Sequence, residues 1–415
     1  MVGFGELRGA TPASWQAAAD DMLAAAKEAE QAAAAIHANG ASKLADSWPD
    51  ELGQMVRADL IAVTQKLDTM GVLLRGATTA MDTLENAARL AQKELTVALD
   101  YAASVGIGVD EKGTATILPE FEDDPLSAQR LRDVSAMIGD ALDAATGADD
   151  EGVSALGRLA VDPDIISTDD ARKRQAQANQ DALDMIRDAL PDGQSPKAVR
   201  RWWDALTPEE RTQFKRAVPV ELAGLDGIPK DVVDGLRGNR GYDALEMVRY
   251  AKEHWDDQSI DIFDNNCANF VSNALLGAGL DEKGTFTTDD DGWGRSKAGD
   301  WGWDLDWPGP GSLEGLSHTD SWTYAEAQKN FLLDNGGEDV GVANARPGDV
   351  VYWEHANSGE AHHAAVVTAV LPNGEVLYTQ HSPSAQNLSL QGRLPMGEQA
   401  EGDQNVFVVR PKQSW

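Results

Sequence analysis

Two kinds of hydrophobic spacing divide this chain. In its first hundred residues the apolar positions recur at helical intervals. Trp15, Met22, Ala26, Ala29, Ala33 and Ile36 form a narrow, alanine-rich stripe. Thr11 is a capping residue ahead of Pro12, which a first helical turn tolerates because its missing N–H has no partner there anyway. Asn39–Ser42 is expected to fray or kink this helix, and Trp48-Pro49-Asp50 to end it. From Leu52 the apolar residues then alternate steps of four and three through Val56, Leu60, Val63, Leu67, Met70, Leu74, Ala77, Met81, Leu84, Ala88, Ala91 and Leu95. That heptad seam predicts a second long helix lying antiparallel against the first. The first helix offers mainly alanines to it, so part of the seam is expected to remain for a partner helix.

Val105–Glu120 reads as a small β-hairpin turning at Asp110–Gly113, and residues 125–190 as further acidic, alanine-rich helices. Trp202, Trp203 and Leu206 share one helical face, and Thr207-Pro208-Glu209-Glu210 starts another helix with a cap and an acidic first turn. After Asn239 the spacing changes to strand-like runs: DVVYWE (Asp349–Glu354), HAAVVTAV (His363–Val370), EVLYTQ (Glu375–Gln380) and NVFVVR (Asn405–Arg410). Asn373-Gly374 supplies a hairpin turn between the second and third. The expected architecture is therefore multidomain. An all-α N-terminal half, with a helical hairpin at 1–105 and a helical linker region at 106–236, precedes an α+β domain at 237–415 whose sheet is antiparallel.

Charge narrows the function classes. The 415 residues carry 35 Lys and Arg against 69 Asp and Glu, a formal charge of −34. Such a field repels nucleic acid and anionic lipid. No run is long enough to span a membrane, so membrane insertion is not expected. The N-terminus has no basic stretch followed by an apolar core, so the chain is expected to be cytoplasmic or exported without a classical signal peptide. One cysteine excludes an intrachain disulfide.

That cysteine is the candidate for chemistry. In DNNCANFVSNALLGAG (264–279), Phe270, Val271, Ala274, Leu275 and Ala278 recur at helical spacing, placing Cys267 in the first turn of a buried helix. Unpaired N–H groups and the positive end of the helix dipole favour a thiolate there. A buried cysteine is otherwise a small hydrophobe. A thiolate nucleophile needs a histidine within reach and a group to orient it. His363 opens a strand whose alternate residues, Ala365 and Val367, lie on its own face, and the small Ala364 and Ala365 leave room for a helix. His362 points to the opposite face. His381 ends the neighbouring strand, from which it is expected to reach the far nitrogen of His363. A zinc site built from His362, His363 and His381 has no supporting ligand spacing, so no metal and no cofactor are expected. Trp293, Trp301, Trp303 and Trp307 crowd one segment, where they would either stack on sugars at the rim of a cleft or bury themselves under the sheet edge.

These motifs carry resemblances. The hairpin with a tryptophan near its turn resembles WXG-type proteins exported by type VII secretion in Gram-positive bacteria. The paired tryptophans, Leu206-Thr207-Pro208-Glu209-Glu210 and Leu225-Asp226-Gly227-Ile228-Pro229 resemble a linker ahead of catalytic domains in secreted effectors of such bacteria. From Arg240 to about Pro395 the chain is similar to an amidase family related to the NlpC-like and CHAP cysteine peptidases. Tyr242–Trp255, the Cys267 segment, Asp320–Gly336, Arg346–Glu354, His362–Val370 and Tyr378–Ser384 match its motifs in order. Asn266 departs from the acidic residue usual before the cysteine, and Ser272-Asn273 from Ser-Gln. The resemblance implies a papain-like cysteine hydrolase with Cys267 as nucleophile, His363 as base and acid, His381 as orienting residue, and Asn265, Asn266 and the Cys267 amide as oxyanion candidates. It implies peptidoglycan stem peptides as substrate, with a small WXG-type partner, export machinery or an immunity protein as partners. A protein-directed deamidase or isopeptidase of the same fold, and a non-catalytic helical scaffold, are the alternatives.

Overall fold

The computed structural model describes residues 1–263, 265–284, 291–295, 318–355, 357–391 and 404–415. The chain divides into two compact units, Met1–Ala32 with Lys66–Ala189, and Ala33–Gln65 with Leu190–Trp415. It begins with helices α1 (Phe4–Gly9), α2 (Pro12–Ile36), a π-helical turn at His37–Ala41, α3 (Ser42–Ser47) and α4 (Glu51–Ser104). The π turn falls on the Asn39-Gly40 break that the sequence marks. At Trp48-Pro49 the chain reverses. Asp50 restarts the helix by accepting from the Gly53 amide at 2.9 Å. Gly53 is required there, because a Cβ would lie 2.0 Å from the Trp48 carbonyl oxygen. Among the described residues no helix is long and apolar enough to cross a membrane.

In the first unit α2 and α4 run antiparallel. Ala19, Ala26 and Ala29 of α2 are buried, and Glu30 pairs with Arg75 through two contacts, of 2.5 and 2.9 Å. Of the predicted seam on α4, Ala88, Ala91 and Leu95 are buried, Leu52 and Val63 are exposed and the positions between are half-buried; the buried face also runs through Val72, Leu73 and Ala80, which lie off that seam. Ala91 and Leu95 pack with Phe4, Leu7, Ile107 and the buried face of α5 (Ser127–Leu159). Val72 and Leu73 pack with Leu159 and with Ala171 and Ala178 of α6 (Thr168–Asp188). A two-stranded ribbon, β1 (Ile107–Val109) with β2 (Ala115–Ile117), joins α4 to α5. The helices of 125–190 thus pack into the core of this unit. Leu52, Met55 and Val63 remain exposed.

One polar residue in this unit has a measurable consequence. Asp68 is 1% exposed and neither carboxylate oxygen has a partner. Burial pushes its pKa up to about 7 against the opposing field of Arg172, with Glu30 adding to the rise. The folded state therefore binds a proton that the unfolded chain releases near pH 4. This contribution is fully present below pH 4 and is lost as pH rises through 7. Replacing Asp68→Asn should remove up to about 4 kcal/mol of that decline. Urea unfolding followed by circular dichroism at pH 5 and 8 checks this, and equal gain from the variant at both values would refute it.

The second unit adds α7 (Pro196–Ala205), α8 (Pro208–Ala217), α9 (Pro219–Gly224), α10 (Lys230–Arg237), α11 (Ala244–His254), α12 (Cys267–Gly277), α13 (Asp320–Thr323) and α14 (Ala325–Asp334). Its strands are β3 (Glu338–Asp339), β4 (Val350–His355), β5 (Ala361–Val370), β6 (Val376–Gln380), β7 (Ala385–Ser389) and β8 (Gln404–Arg410), in the order β3-β8-β4-β5-β6-β7 and antiparallel throughout. Alternation along β4 and β5 feeds two cores. Val350, Tyr352, Ala364 and Val366 pack with Met247, Phe270, Val271 and Leu332 of the helices. Val351, Trp353, Ala365 and Val367 pack on the opposite face with Tyr378 and Val408. The Thr207–Glu210 capping box starts α8 as the sequence implies. Arg216 donates to the Ala345 carbonyl, and Lys252 pairs with Glu221, so the helices of 207–237 are tied to the sheet unit.

Candidate active site

Cys267 is the first residue of α12 and is 4% exposed. Its amide donates to the Asn265 Oδ1 at 3.4 Å. The turn before it is fixed by Asn266, whose Oδ1 accepts from the Ile262 and Phe263 amides at 2.9 and 3.1 Å. Asn266 also donates its backbone N–H to the Ser382 hydroxyl at 3.1 Å. Asn266 is buried and its side chain is spent on this loop, so it is not available to an oxyanion. Asn265 is exposed and lines the cleft beside the thiol.

Polar side chains on the otherwise apolar α12 hold its first turns in place. Buried Gln328 of α14 donates to the Ala268 carbonyl at 2.8 Å and to the Ser272 hydroxyl at 2.7 Å, and accepts from the Tyr352 phenol at 2.9 Å. Asn269 donates to the Ile260 carbonyl and accepts from the Trp322 indole. Burial, and then the charge of a Cys267 thiolate, hold the Tyr352 phenol well above its ordinary pKa, so it stays a neutral donor.

The thiol opens on a cleft of about 600 Å³ whose lining includes Asn265, Cys267, Tyr324, His355, Glu360 and His362. The Tyr324 hydroxyl donates to the Glu360 carboxylate, and this bond with burial pushes the phenol up to about 12. His362 stacks on His355, with centroids 4.2 Å apart. The pairing of β4 with β5 slips by one residue here: Trp353 opposes His363, whereas Glu354 opposes Ala361. His362 is the extra residue of that bulge.

Two sequence expectations change at this point. His363 was expected on the face of the thiol. It lies instead opposite Trp353, on the side of Ala365 and Val367, with its ring 5.1 Å from the Trp353 indole. His381 was expected to hold it. Its two nitrogens face the Trp255 carbonyl at 2.7 Å and Asp261 at 2.6 Å, and its ring stacks on Phe270. The group that meets His363 Nε2 is the Gln380 carboxamide oxygen, at 2.9 Å. The reason is parity: Gln380 shares the face of Tyr378, whereas His381 projects to the helix side. Gln380 was missed, although the alternation of Tyr378 and Gln380 in YTQH signals it.

Of the two placements open to it, Trp293 takes the buried one. It is fully buried, donates to the Ser272 hydroxyl at 3.0 Å and stacks on Trp322 at 4.8 Å. Trp301, Trp303 and Trp307 lie outside the described residues. Among the described residues no three His, Cys, Asp or Glu side chains gather as metal ligands.

With this geometry in place, comparison with known proteins is informative. No solved structure matches the chain. A protein of Bacillus subtilis (strain 168) described as uncharacterized protein YhbB is 27% identical over 135 residues, which are 31% of this chain and 37% of that protein. The match thus spans little more than a third of that relative. Residues 241–407, which hold Cys267, the cleft and the sheet, match the model of the family described as "Putative amidase domain".

Proposed function

We propose that the chain is a cysteine-dependent amide hydrolase of papain-like type. The observation that supports this most directly is the buried thiol at a helix start, opening on the same cleft as His362. In the proposed reaction the Cys267 thiolate forms a bond to the amide carbonyl carbon. His362 takes the thiol proton and returns it to the departing amine as the C–N bond breaks. Water then attacks the thioester, giving its proton to His362. The acid is released and Cys267 is regenerated. The Cys267 amide, now on the Asn265 side chain, and the Asn265 carboxamide are the donors we assign to the developing oxyanion. His363 and Gln380 form a buried pair behind this site, and His381 with Asp261 clamps the loop ahead of the nucleophile.

The substrate we propose is the stem peptide of bacterial peptidoglycan, reached through a type VII-like export route in which the helical unit is the delivery module. Glu360, in the lining of the thiol's cleft, supports an amine-bearing peptide, since a carboxylate there favours a cationic group. The exposed Leu52, Met55 and Val63 in the first turns of α4 are where a WXG-type partner or export component would bind. An immunity protein would have to cover the cleft.

The full chain incubated with purified peptidoglycan should release fragments differing from the starting muropeptides by one hydrolysed amide, read by mass spectrometry. If peptidoglycan is untouched but a protein substrate loses ammonia or an isopeptide link, the deamidase or isopeptidase reading replaces this one. If nothing is cleaved, a binding role remains.

A further inference from the structure

β4 has the cleft at its His355 end. Beyond its other end, past Val350, lies a second cavity of about 610 Å³. Lys215 and Arg216 of α8, Arg346 of the segment before β4, and Asp231 of α10 supply all its charged lining. Three cations face one carboxylate, an excess of two positive charges in a chain whose net charge is −34.

The nearest carboxylate outside the cavity, buried Asp349, feels the charge of Arg346 but is already paired with Arg410 at 2.8 Å, so Asp231 is the one carboxylate of the lining itself. Among the described residues neither the Lys215 nor the Arg346 side chain has an ion pair or hydrogen bond. Arg216 uses one nitrogen on the Ala345 carbonyl, at 3.2 Å, while its Nε is buried without a partner. Burial, and then the charge of Arg346, lower the Arg216 pKa from its ordinary value. Lys215 and Arg216 stand in the last turn of α8, where the helix dipole favours cations. That accounts for two of the charges but not for Arg346, which arrives from a separate loop and adds repulsion. Holding like charges together around an open cavity is costly unless an anion occupies it.

We propose that this cavity binds a phosphate group, free or esterified. A phosphate monoester carries about −1.5 to −2 at neutral pH, which matches the excess. Its tetrahedral oxygens suit a guanidinium fork and an ammonium from different elements better than a single carboxylate does.

The test is calorimetric titration of the full chain with inorganic phosphate and, separately, with glycerol phosphate, against chloride at matched ionic strength. Saturable binding of one equivalent is expected, weakened tenfold or more in Arg346→Gln and in Lys215→Gln, with amide hydrolysis unchanged in both. Both side chains are at the surface or half-buried and make no internal bond, so these variants should fold. Tighter binding of glycerol phosphate identifies an esterified ligand, and tighter binding of inorganic phosphate a free one. Absence of saturable binding by either probe, or equal affinity in the variants, overturns the proposal. Hydrolysis is measured independently, so failure here leaves the cleft assignment standing.

Discussion

Replacing Cys267→Ala should abolish amide hydrolysis, a loss of at least about 10⁴-fold, because a nucleophile has no substitute in covalent catalysis. Fold stability should change little: the substitution removes one sulfur atom at the first residue of a helix whose turns are held by Gln328, Asn269 and Ser272. The wild-type thiol should also react with iodoacetamide at pH 6 much faster than cysteine in solution, since the helix start favours the thiolate. Hydrolysis retained by Cys267→Ala, with a wild-type thiol inert to alkylation, would return Cys267 to the role of a packed core residue.

The second large effect separates two adjacent histidines. His362→Ala should lower turnover by about 10²–10⁴-fold, the usual contribution of a general base. It should also shift the pH profile of Cys267 alkylation. His363→Ala should keep turnover within about tenfold. It should instead lower stability by about 1–3 kcal/mol, because it leaves the buried Gln380 carboxamide without its ring partner. Gln380→Ala should behave like His363→Ala. Turnover lost on His363→Ala and kept on His362→Ala would mean that the strand alternation without its bulge describes the working enzyme. The alkylation profile distinguishes the two without any substrate, so the assignment does not depend on knowing which amide is cleaved.

Much of the fold was legible because it rests on local periodicity. The long helical run of α4 and the break at Trp48-Pro49-Asp50 are properties of short windows, as are the capping box at Thr207 and the Asn373-Gly374 turn. So is the placement of Cys267 at the first residue of an apolar helix. What covers the α4 seam was not legible. Alanine-rich acidic helices such as α5 and α6 do not announce their partner, and only packing shows that Val134, Ile138 and Ala171 close the core.

The sequence by itself determined which residue types are available for the chemistry: one thiol, and histidines on strands that follow it. Which histidine lines the cleft of the thiol was decided by tertiary structure. Side chains alternate with a period of two, so the one-residue slip between Trp353/His363 and Glu354/Ala361 changes which neighbour sits at the cleft. A bulge leaves no signature in HHAAVV. The same parity sends Gln380 to His363 and His381 to Asp261, across 120 residues of intervening chain. The cation cluster at Lys215, Arg216 and Arg346 likewise exists only where α8 meets the segment before β4. Charges that distant in sequence come together through packing of the elements that carry them, and no window along the chain contains them both.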